Sequence, residues 1–333
     1  MPFNLASFSH GRTLALAALL LPAISFTAPA TADDAWPNKP IRMVIAFPPG
    51  GPTDAIGRVL FTELGKKLGQ PIVIDNRPGA GGVIAASEVT KAPADGYTLY
   101  YASATIATTP ALYNRPDLVP SKAFTPVSCT VSVPMVLMVA PSLPAKNMQE
   151  FVALLKASPG KYFQGSSGNG SPDHLAGVLL KKSLGVDFQH VPYKGNGPAI
   201  TDVMAGNVTF MFGGALQTAV PLIDAGKLRA LVVTADKRSS ALPDVPTISE
   251  TVLKGFDVGT WQAVVAPKGT PAAVVDLVNA KLSEVLAEPA IRASMLQQGA
   301  DVVDSKPAAC GAFMDKETAR WTQVIEREHI NIE

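Results

Sequence analysis

The stretch IRMVIAFPPGGPTD, residues 41–54, decides the fold. Ile41–Ala46 is a nearly continuous apolar run, which suits a strand covered on both faces of a parallel sheet. Pro48 and Pro49 stiffen the exit from that strand, Gly50 and Gly51 permit close approach to the backbone, and Thr53 or Asp54 can cap a helix. From Thr53 to Leu68, apolar Ile56, Leu60 and Leu64 recur at i, i+4 and i+8, which predicts an amphipathic helix closed by Gly69. Strand, Gly-rich loop and helix in that order is an α/β unit.

The same rhythm continues outward. Ile72–Ile74, Thr98–Ala102 and Val136–Ala140 read as strands, with a helix over Val83–Lys91. Helices are expected at Met148–Ala157, His174–Leu184, Pro198–Ala205 and Thr218–Ala225, between strands at Phe163–Gln164, Phe188–Val191, Val208–Phe212 and Leu231–Thr234. Gly259–Ala266 is a strand, followed by a helix over Pro271–Leu286 with Thr270 as N-cap, and by a last helix over Pro307–Arg327. Two such α/β groups without a long linker predict two lobes, each a mostly parallel sheet flanked by helices. Crossing strands near Val131–Val136 and Phe256–Trp261 would join them. The expected boundaries are 35–134 plus 260–333 for the first lobe and 135–259 for the second.

Ahead of them, residues 1–32 read as a secretory signal peptide: a short n-region ending at Arg12, an apolar run from Thr13 to Phe26, and Ala30-Thr31-Ala32 for cleavage after Ala32. The run is shorter than the ~20 apolar residues of a spanning helix and contains Pro22. Its removal takes away one basic residue and no acidic one, so the formal charge of +1 falls to zero and no basic excess recommends a nucleic acid. With 47% hydrophobic and 17% charged residues in 333, the chain is globular rather than disordered. Export to an oxidising compartment permits a disulfide between the two cysteines, Cys129 and Cys310, but sequence cannot bring their Cα atoms together, and two separate buried thiols remain open.

Three loops offer backbone N–H groups at helix starts: Phe47–Asp54, Ala102–Ile106 and Gly165–Pro172. In open α/β folds, such loops lie at the carboxyl ends of strands, where ligands bind. No Walker loop is present, and GSSGNG lacks the acidic residue that a dinucleotide fingerprint requires. The histidines His10, His174, His190 and His329 are too scattered for a metal site, and Ser171 has no GxSxG elbow around it. Neither a catalytic residue, a metal nor a cofactor is expected.

Eight segments nevertheless occur together: WPNKPIRMVIAFPPGGPTD, LGQPIVIDNRPGAGGVIAA, ADGYTLYYAS, SSGNGSPDHLAG, HVPYKGNGPAITDVMAG, AGKLRALVVT, LPDVPTISE and APKGTPAAVV. In content and order they resemble the Bug family, the periplasmic solute receptors of tripartite tricarboxylate transport systems. The resemblance implies a two-lobed periplasmic binding protein closing as a Venus flytrap on an organic carboxylate, without catalysis, and delivering it to membrane transporter subunits. It points to Phe47, Pro49, Gly50, Gly51 and Asp54, to Ser103 and Thr105, and across the cleft to Ser166, Ser167, Asn169, Ser171 and Tyr193. Gly213 stands where family members often carry an acidic or amide residue.

The turn Phe212–Ala215 therefore has no carboxylate for a ligand ammonium, and Asp54 and Asn169 read as helix caps, so the ligand is expected to lack an essential ammonium group. A monomer is expected. Two other readings stay open: a secreted hydrolase using a serine of the Ser166–Ser171 loop, and a sensor subunit presenting a carboxylate to a membrane kinase.

Overall fold

A computed structural model describes residues 36–213, 216–235 and 237–330. The signal peptide and its cleavage site lie outside the described residues, as do Gly214 and Ala215. Two sheets organise the chain. The first has the order β11-β4-β10-β3-β1-β2, built from β1 (Ile41–Ile45), β2 (Ile72–Asn76), β3 (Thr98–Ser103), β4 (Phe124–Pro134), β10 (Gly259–Pro267) and β11 (Asp301–Val302). The second has the order β7-β6-β8-β5-β9, built from β5 (Val136–Val139), β6 (Phe163–Ser166), β7 (Gln189–Pro192), β8 (Phe210–Gly213) and β9 (Arg229–Val233).

Strands β1, β2 and β3 run parallel, as do β6, β7 and β8. Antiparallel pairing enters where the chain changes lobes: β10 against β3 and β4, and β5 against β8 and β9. The sheets are thus mixed, with most strands sharing one direction. The chain leaves the first sheet at Pro134, enters the second at Val136, and returns from β9 into β10. Gly259 sits opposite Pro134 so closely that a Cβ there would lie 3.1 Å from the Val133 carbonyl oxygen.

The helices are α1 (Pro52–Leu68), α2 (Val83–Val89), α3 (Thr105–Leu112), the one-turn α4 (Pro120–Ala123), α5 (Met148–Ala157), α6 (Pro172–Leu184) and α7 (Asn196–Ala205). They continue with α8 (Leu216–Asp224), the one-turn α9 (Ile248–Thr251), α10 (Ala272–Ala287), α11 (Pro289–Gln297) and α12 (Pro307–Arg327). β1 shows why they lie on both faces. Met43 and Ile45 join the core with Ile56, Leu60 and Leu64 of α1 and Val278 of α10, whereas Val44 joins Ala85, Ala107 and Trp321 on the other side. Arg42 interrupts this run and is neutralised by Asp75 and Glu88.

One alternative left open is resolved and one expectation changes. Cys129 on β4 and Cys310 on α12 are bonded, with Cα atoms 5.3 Å apart, because α12 packs directly on the crossing strand. Thr270 does not cap α10: its hydroxyl donates to the Pro267 carbonyl, and Pro271 occupies the N-cap position. No helix among the described residues is long and apolar enough to cross a membrane.

Candidate functional site

A cleft of about 300 Å³ opens where the carboxyl ends of the parallel strands from both sheets face each other across the crossing strands. Four helices begin on its wall: α1 at Gly51–Thr53, α3 at Thr105, α6 at Pro172–Asp173 and α7 at Asn196. The first N–H groups of a helix have no intrahelical acceptor, and the aligned peptide dipoles make that end favourable for an anion. At α1, α3 and α7 the N-cap residues are Gly51, Ala104 and Gly195, and none supplies a side-chain cap. The starts of α1 and α7 retain backbone donors for a ligand, whereas at α3 the Thr105 N–H donates to Ser103 Oγ at 3.4 Å. Only α6 caps itself, with Ser171 Oγ accepting from His174 N.

Of the residues selected from sequence, Phe47, Gly51, Ser103, Thr105 and Ser167 meet in this cleft. The hydroxyls of Ser103 and Thr105 are 3.0 Å apart. The others lie outside the cleft wall, some of them bracing its loops. Asp54, 1% exposed, accepts from Gly50 N at 2.8 Å, Arg58 Nε at 2.7 Å and Asn76 Nδ2 at 2.9 Å. Burial opposes its charge, but the hydrogen bonds from Arg58, Gly50 and Asn76 outweigh burial and hold the carboxyl below its usual range. Asp54 shapes the first loop and does not line the cleft. Pro49 and Gly50 are exposed at the tip, where Gly50 takes φ +80°, open to glycine at little cost.

In the second lobe, Ser171 Oγ donates to the Gly168 carbonyl at 2.6 Å. Asn169 is exposed on the same loop. The Tyr193 hydroxyl donates to Asp202 at 2.6 Å, and burial, reinforced by that carboxylate, pushes its pKa up to about 12. Gly213 ends β8 opposite Val136, where a side chain would collide with Met138. None of these four lines the cleft.

Sequence reading overlooked Asp173, Asn196, Thr260 and Gln262, all on the cleft wall. Asp173 accepts from Ser167 N at 2.5 Å and Ser167 Oγ at 2.7 Å, which fixes Ser167 at the rim. Thr260 and Gln262 come from β10; the one available signal was a polar Gln inside the apolar run GTWQAVVA. No Lys or Arg is among the described residues lining the cleft. Arg42 is taken by Asp75 and Glu88, and Arg58 by Asp54. An anion held here is held by dipoles and hydroxyls.

Beneath the second loop, the rings of His174 and His190 stack with centroids 3.9 Å apart. His174 Nδ1 accepts from Gly170 N at 3.1 Å, and His190 Nε2 lies 2.6 Å from Ser166 Oγ. Burial, and then the neighbouring His190, lowers the His174 pKa to about 4. Unfolded, the ring protonates near pH 6.5, so between about pH 6.5 and 4 the unfolded chain holds more protons and stability falls as pH falls. Thermal unfolding is expected to show Tm dropping from pH 7 to pH 4.5, with a shallower slope in His174→Gln. Equal slopes would remove this ring from the acid response.

Residues 56–330 match the model of the tripartite tricarboxylate transporter family receptor, TctC. The chain belongs to that family. BugT of Bordetella pertussis is 36% identical over 94% of this chain and 96% of its own. Among solved structures, Rpa4515 of R. palustris with adipate is 35% identical, with a TM-score of 0.75 over 89% of this chain and 99% of that one. MatC (Rpa3494) of Rhodopseudomonas palustris with bound malate is also 35% identical, with a TM-score of 0.70 over 87% of this chain and 100% of that one. As a TctC-type receptor, the chain has the two-lobed fold of periplasmic binding proteins.

Proposed function

We propose that this TctC-family protein is a periplasmic receptor that binds a small dicarboxylate in the cleft and passes it to membrane transporter subunits. The observation that carries the reading is the convergence of three helix starts, α1, α3 and α7, whose N-cap residues supply no side-chain cap, on one cleft that has no described cation. Donors without fixed charge suit carboxylate oxygens. A volume of about 300 Å³ lies at the lower end of the ~300–1,000 Å³ range of ligand pockets, which fits a compact acid. The adipate and malate of two related structures are of this class.

The hydrolase reading has one observation in its favour, the Ser166–His190 pair at 2.6 Å. Ser166 is 0% exposed, however, and its hydroxyl also accepts from Gly168 N, which favours a bracing role over a nucleophile. The pair braces the loop. We take the protein to be a non-enzymatic monomer.

A thermal-shift screen tests the reading. A ligand at 100 times its Kd adds about 2.7 kcal/mol to the native state, a rise of several degrees. At least one C4–C6 dicarboxylate is expected to raise Tm while its dimethyl ester does not. An ester that stabilises as well as its acid would contradict anion binding at these helix starts.

A further inference from the structure

Two acceptor atoms in the cleft are left without partners. Gln262 on β10 is 2% exposed and lies opposite Ser103 of β3; its Nε2 donates to Thr53 Oγ1 at 3.4 Å, while its Oε1 is buried with no hydrogen bond. Asn196, the first residue of α7 in the other lobe, also has a buried Oδ1 with no partner. Both residues line the cleft. A buried acceptor that has left water and gained no donor is costly, and a carboxylate cannot repair the loss because it brings only acceptors.

We infer that the ligand is a hydroxy-dicarboxylate, whose hydroxyl donates to the amide oxygen of Gln262, with Asn196 offering a second acceptor from the opposite lobe. This rests on the carboxylate-receptor reading and narrows its ligand class. A hydroxyl fits better than an ammonium. A buried ammonium needs an anionic partner, and the one carboxylate among the described lining residues, Asp173, is already engaged by both donors of Ser167. A site built around an unpaired acceptor discriminates against the analogue that lacks the matching donor.

L-malate, succinate and L-aspartate share one C4 dicarboxylate skeleton and differ at C2 by hydroxyl, hydrogen and ammonium, so they isolate the interaction. Calorimetric Kd values are expected to place malate about tenfold or more tighter than succinate, one hydrogen bond's worth, with aspartate weakest. In Gln262→Met, which keeps the side-chain volume, the malate-to-succinate ratio is expected to fall to within about threefold of unity. Should that variant fail to fold, Asn196→Ala gives the same readout from the other lobe, a reduced ratio. An unchanged ratio in the folded variants, or aspartate as the tightest of the three, overturns the hydroxyl assignment and leaves a carboxylate receptor standing. If none of the three binds and no longer dicarboxylate shifts Tm, both readings fall.

Discussion

Gly51→Val is expected to weaken dicarboxylate binding by about 100-fold or more while leaving the fold intact, a loss of about 2.7 kcal/mol. Gly51 lies on the cleft wall at the N-cap of α1, with φ −73° and ψ 166°, an extended conformation that valine adopts without strain. A Cβ there would lie 3.3 Å from the Pro48 carbonyl oxygen, a tight contact that a few tenths of an ångström relieve. Gly51 lines the cleft, so the two added methyl groups take up space at its wall. They would push the ligand carboxylate away from the start of α1, removing a charged hydrogen bond worth about 1.5–3 kcal/mol and adding overpacking of about 1–3 kcal/mol. Gly50→Val, one residue earlier, acts differently. Gly50 has φ +80° and open space around its Cα, so valine there strains the backbone and destabilises the protein. Calorimetry of binding together with Tm separates the two variants. Near-native affinity in Gly51→Val would remove the α1 start from the site.

Reducing the disulfide is expected to produce the largest change in stability. Cys129 and Cys310 are 181 residues apart in sequence, and the loop they close contains all of β5–β9. The chain-entropy relation gives about 5 kcal/mol for a loop of that length, at the top of the 2–5 kcal/mol usually lost with a native disulfide. For a protein of this size that corresponds to a Tm lower by roughly 3–8 °C. Scanning calorimetry with and without reductant, with thiols titrated to confirm complete reduction, measures it. A Tm unchanged after full reduction would mean that the bridge contributes nothing to holding α12 on β4.

The fold was legible where one physical term dominates. A continuous apolar run, a Gly-rich exit and a 3.6-residue periodicity leave few alternatives for residues 41–68, and β1 and α1 formed there. α3 was invisible because TIATTPAL is rich in β-branched threonine and carries Pro110, both unfavourable inside a helix; its burial on β3 and α12 overrides local preference. β4 was seen only at its end, since Pro126 and the alternating Ser and Thr of FTPVSCTVSVP obscure an eleven-residue strand. The disulfide depended on the packing of elements far apart in sequence, which local pattern does not encode.

At the site, the sequence located the loops but not the direction of each side chain within them. Ser166, Ser171 and Asp54 have the chemistry of ligand contacts and spend it on the loop backbone. Gln262 and Asn196 were missed for the opposite reason: a polar residue in a strand or at a helix start ordinarily faces water. Gly214 and Ala215 lie outside the described residues, so the case against an amino acid ligand rests instead on the engagement of Asp173 by Ser167.

Capture of a small dicarboxylate between the lobes, and its release unchanged, is the behaviour on which the receptor reading stands. Isothermal titration calorimetry of the intact mature protein with malate and with adipate measures it, because binding and turnover produce different heats. A saturable heat with one site per chain is expected for at least one of these acids, with a baseline that returns after every injection and the same acid recovered afterwards. A sustained heat that consumes the acid, or no heat from either acid, would contradict it.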